Sequence, residues 1–313
     1  MSFIDTFFED GNINTILAPP KEGKTNFAVW LAFQAILQGY TVLSNIAMFK
    51  PENIPEAIKR GWLHDTKFEP IPEKFKYIPL ASKLILEASQ GDRNIVIIDE
   101  GGISASSSRA MTDTVVQFKY LGYSIRKIGA CLIIIAQTKG SIVPVLRKDL
   151  VDYEIHIIKH RNKTRDTEIL KSNRYYNKEK RDYDVDFTPY DYIKNIPYST
   201  VAYDTRHPGG FTWDIDLHSF YQEIAESGYD SVEIRREIPR IINNMVAEKK
   251  IDEHLKKRKF MRTSSVADLF KVHPDTIRNW VDKGIINCIR TEGGDRLFSR
   301  SEVTKLAINK GIF

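Results

Sequence analysis

The sequence predicts an α/β chain, with a parallel sheet wrapped by helices and a small separate domain at the carboxy end. Three observations carry that expectation. Between Ile13 and about Lys159, short apolar strands alternate with helical stretches. The loop Glu22-Gly23-Lys24-Thr25 falls between the first strand and the first helix. Charge is also unevenly placed along the 313 residues: Asn243 to Phe313 holds 15 Lys/Arg against 9 Asp/Glu, or +6, and the remainder holds 31 against 32. That asymmetry points to a terminal domain meeting a polyanion.

The elements follow in order. Ile13 to Ala18 is an apolar strand, and a helix runs through Phe27-Ala28-Val29-Trp30-Leu31-Ala32. Gly39 ends that helix, and Thr41-Val42-Leu43-Ser44 is a second strand. Lys50 to Pro79 reads as a Pro-rich insertion with an embedded helix, Glu56 to Gly61. Leu84 to Ala88 is helical, and Asn94 to Ile98 is a fully apolar strand of the kind buried on both faces. Gly101-Gly102 and the Ser-rich Ser104 to Ser108 precede a helix from Thr112 to Leu121. Cys131 to Ala136 is another buried strand, ending in Gln137-Thr138, and Glu154 to Ile158 is a fifth.

From about Arg161 to Asp204 the composition turns to Tyr, Asn, Asp, Arg and Lys, with Thr167-Glu168-Ile169-Leu170 as half of a hairpin. This reads as an accessory β-rich extension. Tyr175-Tyr176 beside Lys178, Lys180 and Arg181 read as solvated hairpin residues, with stacking on bases as the alternative. Ser219 to Asn244 is helical, Glu248 to Phe260 is a charged helical linker, and a compact ending starts near Met261. The expected domains are therefore 1–160, an extension 161–242 completing it, a linker 243–260, and 261–313.

Several function classes are disfavoured. The longest apolar runs, such as Ala130 to Ala136, are too short to span a bilayer, and no signal peptide is apparent, so a cytoplasmic protein without a membrane partner is expected. Cys131 and Cys288 are isolated, and the seven histidines lack ligand spacing, so neither a disulfide nor a structural metal is expected.

The strand–loop–helix context of Gly23-Lys24-Thr25 is that of a phosphate-binding loop. Amides at a helix start face an anion, and the helix dipole favours it. Lys21, Glu22, Gly23, Lys24, Thr25 and Asn26 are the candidate ATP-binding residues. Lys24 would reach the β/γ-phosphates, and Thr25 with Asp99 would hold Mg²⁺. Glu100, next to Asp99 at a strand end, would polarise the attacking water, and Gln137 would sense the γ-phosphate. Arg126, Arg147 and Arg109 are candidates for an arginine placed against a neighbouring subunit's γ-phosphate. The loop departs from G-x-x-x-x-G-K-[ST] in carrying Ala18 at the first glycine, followed by Pro19 and Pro20, which lack N–H donors.

The order of phosphate loop, apolar strand ending Asp99-Glu100, strand ending in Gln137, then Pro144-x-x-Arg147 resembles the FtsK–HerA superfamily of P-loop ATPases, particularly its viral and mobile-element DNA-packaging members. The resemblance covers about residues 10 to 160. It implies a RecA-like, additional-strand core, a homo-oligomeric ring (often a hexamer) that threads double-stranded DNA, and the roles above for Lys24, Thr25, Asp99, Glu100 and Gln137, with Arg126 as the finger.

At the carboxy end, Arg262 to Phe270 opens with hydroxyl residues suited to cap a helix. Val272-His273-Pro274 then turns the chain, and Pro274 starts a second helix through Asp282, ended by Lys283-Gly284. Two short strands, Ile289-Arg290 and Leu297-Phe298, flank Glu292-Gly293-Gly294-Asp295, and Ser301 to Ile308 is a last helix. Val266-Ala267, Val272-x-Pro274-x-Thr276-Ile277-Arg278-x-Trp280 and Gly293-Gly294-x-Arg296-x-Phe298 resemble the winged helix-turn-helix of the MerR and excisionase group. Val266, Leu269, Ile277, Trp280, Ile285 and Phe298 are the expected core. Asp275, Thr276, Arg278 and Asn279 are expected to face the major groove, and Arg290 and Arg296 to hold phosphates from the wing.

The leading expectation is an ATPase that translocates or packages DNA by in-line water attack on the γ-phosphate. A second is an ATP-switched DNA regulator or partition-like protein. A third, a terminase-like nuclease motor, would need a carboxylate cluster, for which Asp182-x-Asp184-x-Asp186 with Asp204 is the candidate.

Overall fold

The computed structural model describes residues 6–48, 74–99, 108–137, 148–160, 164–196, 211–254, 260–291 and 293–310. The chain divides into two compact units, Met1–Ile238 and Pro239–Phe313. The larger is built on an eight-stranded sheet. In chain order its elements are β1 (Ile13–Leu17), α1 (Lys24–Leu37), β2 (Thr41–Ser44), β3 (Phe75–Tyr77), α2 (Ala81–Ala88), β4 (Asn94–Asp99), α3 (Ser108–Ile128), β5 (Cys131–Ala136), β6 (Tyr153–Lys159), β7 (Arg165–Asn177), β8 (Asp182–Ile193), α4 (Leu217–Glu226) and α5 (Ser231–His254), within which the division falls at Pro239.

The strand order is β3-β2-β4-β5-β1-β6-β7-β8. Strands β3 to β6 of that order run parallel, and β7 and β8 continue the sheet antiparallel. From β1 the chain crosses to β2 on one side and comes back at β6 on the other, so β1 lies at the switch where parallel sheets place ligands off the carboxyl ends. The register aligns those ends: Leu17 pairs with Ala136 and with His156, and Asp99 pairs with Ile135.

The apolar strand runs become buried strands because helices cover them. Phe27, Leu31 and Ala35 of α1 pack with Ile16, Val42, Ile95, Ile97, Ile133, Ile135 and Ile155 in one core, joined by Phe7 and Phe8. Each large side chain so buried stabilises the fold by about 1.5–3 kcal/mol. Cys131 sits in this core with its thiol beside the Phe7 carbonyl and the Asn14 amide, and burial pushes that thiol far up from its ordinary value. It is a packing residue.

Two expectations about the elements change, and a third falls outside the described residues. The insertion after Lys50 contains β3, so Glu154 to Ile158 belongs to the sixth strand of the chain. The expected helix from Glu56 to Gly61 lies outside the described residues. The hairpin β7–β8 is a continuation of the main sheet, because β7 pairs along all of β6 from Lys159↔Arg165 to Tyr153↔Lys171.

Asp166, on β7, accepts hydrogen bonds from the Tyr192 hydroxyl at 2.7 Å and the Asn195 amide at 2.9 Å, and lies 2.8 Å from His160 Nε2. The Tyr192 bond first, then the Asn195 amide and His160, hold its carboxyl down at about 2, below the ordinary 3.8. Ionised Asp166 therefore contributes stability that is complete above about pH 4 and disappears as pH falls through about 2. Asp166→Asn is expected to lower the thermal midpoint at neutral pH and to flatten the acid limb of a midpoint-versus-pH curve. An unchanged acid limb would remove Asp166 from it.

The smaller unit carries β9 (Phe260–Arg262), α6 (Thr263–Phe270), α7 (Pro274–Asp282), β10 (Ile289–Arg290), β11 (Arg296–Ser299) and α8 (Arg300–Asn309), with strand order β10-β11-β9, antiparallel throughout. Val266, Leu269, Phe270, Ile277, Ile286, Phe298, Val303 and Leu306 form its core, and Trp280 packs edge-on against Phe270 at 5.3 Å. Ile285, an expected core residue, is 45% exposed, whereas Ile286 is buried to 1%. Gly284 ends α7 at φ +69, and the Ile285 amide returns to Trp280 O at 2.8 Å, so the inward residue is the next one.

Candidate functional site

The loop after β1 is shaped by two residues at positive φ, Lys21 at 67° and Gly23 at 103°. Gly23 caps α1, and the Phe27 amide closes the first intrahelical bond onto Gly23 O at 3.0 Å. The amides ahead of Phe27 belong to the open first turn, where a helix presents N–H groups and the positive end of its dipole. One expected amide is otherwise engaged: Glu22 N bonds Pro19 O at 3.3 Å, closing the turn that the two prolines begin. Lys24 Nζ donates to Ala18 O at 2.7 Å and to Pro19 O at 3.0 Å, so the lysine arches over the front of its own loop.

Thr25 and Asp99, 74 residues apart in sequence, meet here: Thr25 Oγ1 donates to Asp99 Oδ2 at 3.1 Å. A hydroxyl and a carboxylate are the hard oxygen donors that Mg²⁺ takes. Asn45, at the end of β2, fixes Asp99 from the other side. Its Oδ1 accepts the Asp99 amide at 2.8 Å, and its Nδ2 donates to Asp99 O at 3.1 Å. The signal for Asn45 was present in the sequence as a polar residue directly after an apolar strand. Gln137 is exposed just past the end of β5, on the same carboxyl edge. Glu100 and Arg147 lie outside the described residues, and Arg109 is on the first turn of α3 with its side chain outside them.

Arg126 stands elsewhere. It occupies the last turn of α3, which leads into the amino end of β5, so it belongs to the edge opposite the loop. Its guanidinium donates to Gly11 O at 3.1 Å and Leu150 O at 2.7 Å and pairs with Asp152, which also accepts the Ile13 amide at 2.9 Å. Within its own chain Arg126 is a clamp joining α3 to the starts of β1 and β6. Arg126→Ala is expected to cost about 1–3 kcal/mol, seen as a lower melting midpoint, through the acceptors it strands. Turnover per folded molecule separates the two roles: a clamp leaves it unchanged, and loss of a finger abolishes it at an unaltered midpoint.

Two cations that sequence reasoning missed do reach the loop. Arg165 Nε donates to Glu22 O at 2.9 Å, and Lys159 Nζ pairs with Glu22 Oε1 at 3.3 Å. Both come from the facing ends of β6 and β7, across a turn that separates them from the loop by most of the domain's sequence.

Among the described residues the acidic run on β8 makes local pairs. Asp182 pairs with Lys148, and Asp184 with Lys180 and Asn177, while Asp204 lies outside the described residues. Among the described residues, no group of three or more His, Cys, Asp or Glu is placed to hold a metal ion.

In the smaller unit, His273 caps α7, its Nδ1 accepting the Asp275 amide at 3.3 Å, with Pro274 at the first helical position. Asp275, Arg278 and Asn279 share one exposed face of α7, as the i, i+3, i+4 spacing dictates, while Thr276 is half-buried. Arg278 pairs with Asp275, both well exposed, a contact weak enough to exchange for a phosphate. The wing between β10 and β11 turns at Gly294, φ +82, and Arg290 is exposed on it. Arg296 departs from expectation. It is 17% exposed and donates to Asp282 at 3.0 Å, tying the wing to the end of α7, so its charge is engaged internally.

Residues 262–298 match the family described as MerR family regulatory protein, a span that runs from the end of β9 through α6 and α7 to Phe298 on β11. A MerR-type helix-turn-helix is thus present near the carboxy end. No curated protein matches the chain. Among the described residues no helix is long and apolar enough to cross a membrane.

Proposed function

We propose that the chain is an ATP-hydrolysing motor of the FtsK–HerA type that moves double-stranded DNA and docks on it through its helix-turn-helix. The observation that carries this is the meeting of Thr25 and Asp99 at 3.1 Å beside the loop that opens α1. Sheet topology adds support, because the loop, Asp99 and Gln137 share the carboxyl edge at the strand-order switch.

In this reading the first-turn amides of α1 and the Lys24 ammonium bind the polyphosphate and neutralise charge as the γ-phosphoryl leaves. Thr25 Oγ1 and Asp99 Oδ2 would hold Mg²⁺, which would supply positive charge to offset that of the phosphates. Asn45 keeps Asp99 aimed by gripping its backbone on both sides. Glu100, the next residue, orients and deprotonates the attacking water, and Gln137 touches the γ-phosphate. DNA contact falls to Asp275, Arg278 and Asn279 on α7 and to Arg290 on the wing. A ring of subunits would supply the finger in trans, with Arg126, Arg147 and Arg109 as the candidates.

A second reading, an ATP-switched DNA regulator, draws on the match of 262–298 to regulatory proteins. Turnover of the full chain with and without duplex DNA separates the two. Strong stimulation by DNA supports the motor, and slow turnover indifferent to DNA favours the switch.

A further inference from the structure

We propose that Arg165, seconded by Lys159, is the positioning residue of the phosphate loop, setting its shape for nucleotide from within the same chain. The inference rests on the phosphate-loop reading above.

The register makes the pair. Lys159 at the end of β6 faces Arg165 at the start of β7, and the His160 amide bonds Thr164 O at 2.9 Å across the turn. Arg165 is held from its other side as well, since the Ile196 amide donates to Arg165 O at 2.8 Å and Ile196 is anchored in the main core. From this fixed base the two side chains take Glu22 by different handles, Arg165 by the carbonyl and Lys159 by the carboxylate.

The carbonyl contact has a geometric consequence. A trans peptide is planar, with C=O and N–H pointing in opposite directions. Holding Glu22 O toward Arg165 therefore turns the Gly23 N–H to the opposite side, and it settles the plane from which the left-handed Gly23 starts α1. The packing is close: a Cβ built on Gly23 would lie 2.5 Å from Arg165 Nε and 2.6 Å from its Cδ, so a side chain there would push the guanidinium aside. Gly23 is thus favoured by its φ of 103°, and only a residue without a Cβ leaves the guanidinium where it lies. Two cations at the lip also raise the local positive potential for an incoming polyphosphate.

The test is nucleotide binding and turnover by the full chain as wild type, Arg165→Ala, Arg165→Lys and Lys159→Ala, with Mg·ATP as the probe and a melting curve for each. Arg165→Ala is expected to raise Kd and KM for ATP about tenfold, the worth of one charge-assisted hydrogen bond, with kcat within about twofold. Arg165→Lys should recover most of the loss, and Lys159→Ala should show a smaller rise in KM. Unchanged Kd in Arg165→Ala, with wild type binding ATP normally, would overturn the positioning role alone. Equal losses in Arg165→Ala and Arg165→Lys, both with lowered midpoints, would reduce Arg165 to a fold residue and overturn it too. A wild-type chain that binds no Mg·ATP would overturn the loop reading and this proposal together.

Discussion

Lys24→Ala is expected to lower ATP turnover by about 10²–10³-fold, the usual consequence of deleting one preorganised donor from a site of developing charge. At 1.36 kcal/mol per tenfold, that is about 2.7–4 kcal/mol of transition-state stabilisation. The fold should barely register the change. In the structure Lys24 Nζ donates to the loop carbonyls Ala18 O and Pro19 O, and a partly exposed hydrogen bond of that kind is worth about 1 kcal/mol. Turnover and melting midpoint are therefore predicted to separate. Thr25→Ala should behave similarly but with a steeper requirement for Mg²⁺, since Asp99 would lose the hydroxyl that meets it at 3.1 Å. A Lys24→Ala protein that turns over ATP normally would sink the phosphate-loop reading.

The second large effect is predicted far from that loop. Phe298 is fully buried on β11, the central strand of the small three-stranded sheet. Phe298→Ala should cost about 3–5 kcal/mol, from lost transfer energy plus the cavity left behind. A module of this size rarely holds more than about 3–5 kcal/mol, so the substitution should unfold it. Duplex DNA binding by the full chain should vanish, while turnover in the absence of DNA persists. Ile285→Ala, at a site 45% exposed, is the matched control and should do little. DNA binding that survives loss of the helix-turn-helix, monitored by its own melting transition, would move the DNA contact to the larger unit.

The sequence made the central buried parallel strands plain because they are continuous apolar runs, and Ile95 and Cys131 each begin one. The helix-turn-helix was equally plain, since His273-Pro274 and Gly284 are local chemistry that needs no partner elsewhere. The three-residue strands β3 and β9 were not visible, being too short to carry a period. Nor does a hairpin announce which sheet it joins, so the pairing of β7 with β6 was not legible in the sequence. Side chains that act at a distance from their neighbours in sequence were the hardest. Arg165 meets Glu22 only through the register of β6 with β7. Arg126 is the opposite case: nearness in sequence to the strand ending at Gln137 suggested the site. A helix feeding a parallel strand must nevertheless finish at that strand's amino end, the far edge.

The position of β1 in the strand order has a consequence for how the chain acquires its shape. This first strand pairs with β5 at Ile13↔Leu132 and with β6 at Asn14↔Tyr153, so both of its neighbours come from late in the domain. The loop that follows β1 cannot find its floor until those strands exist, and closing such long loops is the slow step in folding. Asn14 to Leu17, apolar and β-prone apart from two small polar residues, must meanwhile stay out of wrong pairings. The helix-turn-helix, whose strands and helices all lie between Phe260 and Asn309, closes only short loops and should fold quickly. During synthesis the helix-turn-helix, though made after the sheet domain, would then mature quickly, while β1 would wait long for its place.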